Sequence, residues 1–139
     1  MKKLLLSLLL LVSLSTLATE GHWVGTWATA PMLVGNNNNP PSPGLAGNSL
    51  RQIVQVSIGG NLVRLKLTNH YGNSPVEIKG VELAVAKSAG SSPDIDESTS
   101  VGLSFNGSSS VSIAAGEMAV SDAVQFPITP RQNVAITIH

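Results

Sequence analysis

Three side chains that combine an aromatic ring with a polar tip are the clearest ligand-binding groups in the sequence: Trp23, Trp27 and Tyr71. Rings of this kind stack on the faces of sugars while their edges bond hydroxyl groups. Tyr71 follows Asn69 and His70 in a short polar segment, and we take all five residues as candidate contacts to a glycan or to another domain. The plainer alternative, which we favour, is that the two tryptophans fill the core or an interdomain seam. An Asn-containing turn also needs no function to explain it.

Residues for nucleophilic catalysis are missing from the sequence. A serine hydrolase needs its serine on a sharp turn beside a base and oxyanion donors, and the chain has neither a Gly-x-Ser-x-Gly nor a Gly-Asp-Ser block. Ser104 comes nearest, but it is expected in the middle of a strand. Of the three histidines, His22 lies beside the leader, His139 is the last residue, and His70 alone lies inside the expected folded body. We therefore assign no catalytic residue.

Metal and cofactor sites are not predicted from the residue types either. The sequence has no His-x-x-x-His or Glu-x-x-His pair, and zero cysteines exclude thiolate ligands and disulfide bonds. Residues 94–98 (Asp-Ile-Asp-Glu-Ser) imitate the start of a calcium loop, but the turn glycine and the closing glutamate are missing, so we interpret them as a solvated loop. Gly59 and Gly60 stand between two expected strands rather than between a strand and a helix, which argues against a phosphate loop there.

Length and composition restrict the function further. A chain of 139 residues forms about one domain, which is too short for most complete hydrolases, dehydrogenases or kinases. Eight basic residues balance eight acidic ones, so no basic face for nucleic acid is implied. Charged residues are only 12% of the chain, against a usual share of about 25%, and Gly, Ser, Thr, Asn and Val are abundant. This mixture favours strands and turns over helices.

The first 18 residues have the three parts of a secretory signal peptide. Two lysines form a positive start, residues 4–14 are an apolar run, and small residues precede a cleavage site after Ala18. The alternative is a membrane anchor, but this apolar run is too short to span a hydrocarbon core that needs about 20 residues. We therefore expect a signal peptide over 1–18, a mature domain over 19–139 without a membrane segment, and a secreted or periplasmic location.

From residue 50 onward, apolar and polar side chains alternate, which is typical of strands with one face on the core and the other in water. Residues 54–58 and 63–68 alternate in this way, and Gly59-Gly60-Asn61 between them predicts a tight hairpin. The earlier segment 23–31 also favours a strand, because it contains β-branched residues around a glycine.

The middle of the chain leaves one alternative open. The run 76–85 changes phase by one residue at Gly80, which predicts a β-bulge, while a short helix over 81–87 is the alternative. Residues 35–48 and 88–100 are rich in loop-forming residues such as Gly, Ser, Asn and Pro, and we predict surface loops for both.

Five further strands complete the pattern, at residues 101–105, 111–113, 118–120, 124–128 and 134–138. About eight short strands without an amphipathic helix of useful length predict an all-β fold, an antiparallel β-sandwich of jelly-roll type. A barrel would show the same pattern. The last strand runs into His139 with no turn after it, so we expect the domain to be truncated and this strand to expose an edge.

Several sequence blocks follow one another in an order that resembles a known module. They are WVGTWATAP at 23–31, LRQIV at 50–54, SIGG at 57–60, VRLKLTN at 63–69, YG at 71–72, SDAV at 121–124 and VAITI at 134–138. Together these blocks resemble the N-terminal β-rich domain that precedes the catalytic domain in secreted SGNH hydrolases, the GDSL-type esterases and lysophospholipase-like enzymes. The resemblance covers nearly all of residues 22–139.

The resemblance implies ester hydrolysis by a serine in a Gly-Asp-Ser block, with glycine and asparagine oxyanion donors and a distant Asp-x-x-His. None of these blocks occurs in the chain. We therefore expect an inactive front domain of an enzyme that cleaves acyl or acetyl esters, including those of polysaccharides, with a downstream catalytic domain as its partner and no cofactor. The alternatives are a stand-alone carbohydrate-binding module built on Trp23, Trp27 and Tyr71, and a structural packing domain.

Overall fold

The computed structural model describes residues 21–38, 40–42, 44–89 and 92–139. The described strands are β1 (Leu50–Gln55), β2 (Gly60–Val63), β3 (Lys66–Thr68), β4 (Val76–Ile78), β5 (Val81–Ala86), β6 (Ile95–Gly102), β7 (Val111–Ile113), β8 (Met118–Val120), β9 (Val124–Ile128) and β10 (Asn133–Ile138). Apart from a 3-10 turn at Asn36–Asn38, this part of the chain contains no helix. The expected signal peptide, residues 1–18, lies outside the described residues.

Strands β1–β5 form one arm of a long ribbon and strands β6–β10 form the other, and the two arms pair in the antiparallel sense. β1 pairs with β10, β2 with β9, β3 with β8, β4 with β7 and β5 with β6, so successive partners lie closer together along the chain. β10 also pairs with β5, which folds the ribbon back on itself and gives a four-stranded sheet of order β1-β10-β5-β6. The predicted antiparallel, jelly-roll-like β-sandwich is confirmed, and no barrel is closed by the described strands.

The hydrophobic core is built from side chains of the four-stranded sheet and of the two-stranded ladders. Its buried members are Val54, Val56, Ile78, Val81, Leu83, Leu103, Phe105, Ile113, Phe126, Val134 and Ile136. Val81 and Leu83 on β5 are the most deeply buried large side chains, at 2% and 1% exposed, and Glu82 between them faces outward. Burial of a side chain of this size stabilises the fold by about 1.5–3 kcal/mol.

The predicted hairpin is wrong. Because β1 pairs with β10 and β2 pairs with β9, residues 54–58 and 63–68 belong to different ladders, and the second run itself breaks into β2 and β3. Gly59 serves a close approach instead of a hairpin turn. A Cβ atom on Gly59 would lie 2.6 Å from the carbonyl oxygen of Ile128, at the end of β9.

The phase change at Gly80 marks a change of pairing partner, so both the predicted bulge at this position and the alternative helix are wrong. β4 pairs with β7, whereas β5 begins after Gly80 and pairs with β10 and β6. At the switch, the Lys79 N–H donates to the His139 carbonyl at 2.7 Å, and the His139 N–H donates to the Gly80 carbonyl at 2.9 Å. The irregularity lies further on, between Leu83 and Val85 in the β5–β6 ladder.

The loop prediction over 88–100 is wrong for its second half, where β6 begins. Polar groups replace ladder bonds there: Thr99 Oγ1 accepts the Val85 N–H at 2.9 Å and donates to the Asp96 carbonyl at 2.6 Å. The Asp96 carboxylate accepts the hydroxyl and the N–H of Ser98 at 2.7 and 3.1 Å, which holds the pKa of Asp96 below its usual value. The acidic residues that imitate a calcium loop therefore belong mainly to an edge strand.

Two expectations about exposed segments have different outcomes. In the predicted surface loop over 35–48, the described residues form no strand and are mostly exposed. The expectation that the last strand exposes an edge is wrong. β10 lies between β1 and β5, so both of its edges are paired, and its residues 134–137 are buried.

Candidate functional site

An open cleft of about 550 Å³ lies between residues 31–34 and the turn that follows β3. Its lining residues are Pro31, Met32, Leu33 and Val34 on one side and Thr68, Asn69, His70, Tyr71, Gly72 and Asn73 on the other. None of these is a Lys, Arg, Asp or Glu. The volume falls in the range of about 300–1,000 Å³ that is usual for small-molecule sites. The cleft therefore suits an uncharged ligand with both apolar and hydroxyl surface.

Asn69 holds the turn in place. Its Nδ2 donates to the carbonyl oxygens of Ser74, Ile113 and Ala114 at 2.9, 3.0 and 3.2 Å, which ties the end of β3 to the end of β7. The neighbouring Gly72 is required sterically, because a Cβ atom there would collide with Asn69 Oδ1. The side-chain donors of Asn69 are committed to the protein, and we assign this residue a positioning role.

His70 and Tyr71 are the aromatic groups that face the cleft. Their ring centroids lie 4.7 Å apart with the planes at 78°, an edge-to-face contact that aromatic pairs favour. Tyr71 is 52% exposed, and His70 is exposed as well. The contact restrains an exposed tyrosine ring at the mouth of the cleft.

Trp23 and Trp27 lie outside the lining of the cleft. They are 47% and 42% exposed, so the prediction that they fill the core of this domain is wrong. The guanidinium carbon of Arg64 lies 4.2 Å from the centroid of the Trp23 ring, a cation–π contact that covers one face of that ring. Of the three rings in the alternative carbohydrate-binding prediction, Tyr71 alone lines the cleft.

Thr26 fastens the N-terminal segment to the sandwich. Its Oγ1 accepts the N–H groups of Ser57 and Ile58, both at 3.1 Å, and donates to the Ile58 carbonyl at 2.9 Å. Its carbonyl accepts the N–H and the hydroxyl of Ser57 at 3.0 and 2.8 Å. Contacts at one residue do not make a ladder, and the predicted strand over 23–31 is wrong: residues 21–35 form no strand.

Six large apolar side chains along this segment are between 42% and 71% exposed: Trp23, Val24, Trp27, Met32, Leu33 and Val34. We call these six residues the N-terminal strip. Its last three members also form the apolar wall of the cleft. Sequence reasoning missed that wall, although three successive apolar residues before Gly35 were a signal for it. Large exposed apolar groups gathered on one segment are typical of an interaction surface.

A serine–histidine pair that the sequence analysis did not predict lies where β1 begins and β10 ends. Ser49 Oγ lies 2.7 Å from His139 Nδ1, and both residues are exposed. The register of β1 against β10 brings them together, so only the pairing of distant strands could have revealed them. The pair lies outside the cleft, and within the described chain no carboxylate bonds to the imidazole. It does not make the oriented base that serine activation needs.

Asp122 closes the turn between β6 and β7. Its carboxylate accepts the Ser104 hydroxyl at 2.7 Å, the Gly107 N–H at 2.8 Å and the Asn106 N–H at 3.1 Å. These bonds, the one from Ser104 above all, hold the pKa of Asp122 below its usual value of 3.8. Ser104 is thereby a partner of a structural carboxylate, and the arrangement stabilises a turn whose two central residues have positive φ.

Two further features are absent from the described residues, a metal-binding cluster and a membrane-spanning helix. No group of three or more His, Asp or Glu side chains there could hold a metal ion. None of the helical structure in the same residues is long and apolar enough to cross a membrane.

Comparison with known proteins assigns no family: no protein-family model matches the chain, and a search of curated proteins finds no match. The likeness to SGNH hydrolases therefore stays a prediction that rests on the sequence blocks.

Proposed function

We propose that this chain is the N-terminal, non-catalytic β domain of a secreted SGNH/GDSL-type ester hydrolase. The catalytic domain of that enzyme cleaves acyl or acetyl esters, including those of polysaccharides. The chain itself supplies no nucleophile block, so its role is to pack against the catalytic domain and to orient it. Residues 1–18 act as the signal peptide that directs the protein to the periplasm or the exterior.

The observation that carries this proposal is the N-terminal strip. Its first three members, Trp23, Val24 and Trp27, lie outside the cleft and are 42–63% exposed, which is costly for a free surface and is typical of a face that another domain covers. These three residues lie in the sequence block 23–31 that begins the resemblance to the hydrolase module. An interdomain seam gives one explanation for both features.

Reading the coding DNA past the His139 codon tests the proposal. An open frame that reaches a Gly-Asp-Ser block and a later Asp-x-x-His is the expected result. A stop codon at that position, confirmed by the intact mass of the exported product, would overturn it. A nitrophenyl acetate assay of the purified chain gives an independent check, since hydrolysis above a buffer blank would contradict the non-catalytic role.

The second candidate, a stand-alone carbohydrate-binding module, is favoured by the cleft beside Tyr71. Its original form, with Trp23, Trp27 and Tyr71 acting together, has less support because Arg64 covers one face of Trp23 and neither tryptophan lines the cleft. The third candidate, a packing domain for some other partner, rests on the same strip as the main proposal. The DNA reading separates it from the hydrolase domain.

A further inference from the structure

We propose that the cleft between residues 31–34 and the turn after β3 is a binding site for a neutral sugar ring, which stacks on Tyr71. The site does not depend on the hydrolase proposal, because it is complete within this chain. Three properties of the cleft favour such a ligand: a restrained aromatic platform, polar groups beside that platform, and walls without formal charge.

The platform is the ring of Tyr71. Stacking on a sugar needs an exposed ring whose orientation is already set, and Tyr71 is 52% exposed while the edge-to-face contact with His70 restrains its plane. The backbone of the turn that carries Tyr71 is also restrained. The Gly72 N–H donates to the Asn69 carbonyl at 3.0 Å, and the Asn69 side chain donates to three other carbonyl oxygens. A ring held in this way loses little further freedom when a ligand binds.

Polar groups beside the platform match the hydroxyl groups of a sugar. Thr68, which carries a hydroxyl, and Asn73, which carries an amide, line the cleft together with Tyr71, and both residues are exposed. An amide both donates and accepts hydrogen bonds, as sugar hydroxyl groups do. The opposite wall is apolar, with Met32, Leu33 and Val34, and suits the C–H face of the ring.

The absence of charge selects the ligand class. None of the ten residues that line the cleft is a Lys, Arg, Asp or Glu. Phosphate and carboxylate ligands are bound mainly by Arg, Lys or helix N-termini, and none of these faces this cleft. A neutral hexose or pentose unit of a longer glycan therefore fits better than a phosphorylated or uronic sugar.

Calorimetric titration of the purified exported chain tests the site. The probes are cellohexaose, xylohexaose, chitohexaose and mannohexaose, with tri-galacturonate as the acidic comparison. At least one neutral oligosaccharide should bind, and Tyr71→Ala should weaken that binding about tenfold. Tyr71→Phe, which keeps the ring, should weaken it no more than about threefold, and Asn73→Ala should weaken it by about threefold.

Two control variants make the result specific. His22→Ala removes an exposed histidine that does not line the cleft, and Val24→Ser alters the N-terminal strip outside the cleft. Both should leave the sugar affinity unchanged. The packing role is tested separately by the coding DNA, so failure of that role and failure of the sugar site give different results. Since Tyr71 is exposed, near-UV circular dichroism should show that its variants remain folded.

Three outcomes would overturn the proposal. They are the failure of all four neutral oligosaccharides to bind, tighter binding of tri-galacturonate than of any neutral probe, and unchanged affinity in the folded Tyr71→Ala protein.

Discussion

The side chain of Asn69 occupies the space beside Gly72 that a Cβ atom would otherwise fill. The Asn69 amide reaches three carbonyl oxygens because Gly72 has no Cβ atom in its way. The turn that carries His70 and Tyr71 therefore depends on the absence of a Cβ atom at Gly72.

The Gly72→Ala variant should lower the free energy of unfolding by about 1–3 kcal/mol, because the added methyl group displaces the Asn69 side chain. Urea unfolding of the purified chain measures this. Gly60→Ala is the matched control, since no atom lies within 4 Å of a Cβ there, and its effect should be small. In an Asn69→Ala background the Gly72→Ala substitution should cost much less; an equal cost in both backgrounds would contradict the pairing.

Asp122 makes stability depend on pH in a defined direction. The hydrogen bonds from Ser104, Gly107 and Asn106 favour the ionised carboxylate and lower its pKa in the folded protein below 3.8. Its stabilising contribution is therefore fully present above the unfolded-state pKa and is lost as the pH falls through the lower, folded-state value.

The Asp122→Asn variant should be less stable than the natural protein at pH 7. The difference should shrink as the pH falls below 3.8 and through the lower pKa of the folded state, because protonation then makes the natural side chain neutral too. Urea unfolding at a series of pH values measures the difference. Glu77→Gln, on the exposed face of β4, is the control for the loss of one negative charge. A difference that stays constant from pH 7 to pH 2.5 would rule out this role for Asp122.

At the level of elements, the side chain of Thr26 helps to hold the N-terminal segment on the sandwich. Thr26→Val keeps the shape of the side chain but removes the Oγ1 bonds to Ser57 and Ile58. We expect the Ile58 amide to exchange with solvent about tenfold faster, as loss of a hydrogen bond worth about 1 kcal/mol or more predicts. Hydrogen exchange followed by mass spectrometry measures this.

The control for that prediction is Thr29→Val, three residues further along the same exposed segment. It should leave the exchange of Ile58 unchanged, and Thr26→Ser should restore most of the protection. Both Thr26 variants should have nearly the same midpoint of global unfolding, because the segment adds little to the core. Equal exchange in Thr26→Val and the natural protein would show that the backbone bonds to Ser57 hold the segment alone.

Elements with strong local signals were predictable from the sequence. Strands β7 and β9 alternate strictly, and Asn106-Gly107 forms a turn with φ of 51° and 81° because these two residue types tolerate positive φ. Pairing was not predictable in the same way. Gly59-Gly60-Asn61 has the composition of a hairpin turn, yet Gly59 is needed for its approach to Ile128, which lies far away in the sequence.

The candidate site likewise has one part that is local in the sequence and another that depends on distant contacts. Asn69, His70 and Tyr71 are consecutive in the sequence, so they lie close together whatever the fold. The apolar wall over 32–34 joins them only because Thr26 directs the segment across the sandwich, and no local pattern encodes that course. The tryptophans were favoured as buried on residue type alone, whereas their exposure depends on what covers the segment.

At the level of the whole molecule, the N-terminal strip should make the isolated chain self-associate. Sedimentation velocity at tens of micromolar should detect this, and the double variant Val24→Ser with Leu33→Ser should weaken association about tenfold because it removes two largely exposed apolar side chains. The matched control is Leu62→Ser with Val76→Ser, which removes equally apolar exposed side chains from β2 and β4. Equal weakening by both double variants would mean that the strip is not a distinct surface.

The nested pairing of the two arms also sets the order of assembly. Only β5 and β6 are close along the chain, so this ladder can form early, whereas β1 must wait for β10. Because β10 inserts between β1 and β5, the four-stranded sheet stays incomplete until the last strand has left the ribosome. Contacts between such distant segments make folding slow, on a scale of milliseconds to seconds. The core that this sheet completes is therefore assembled only after β10 has been made, even though the β5–β6 ladder can form earlier.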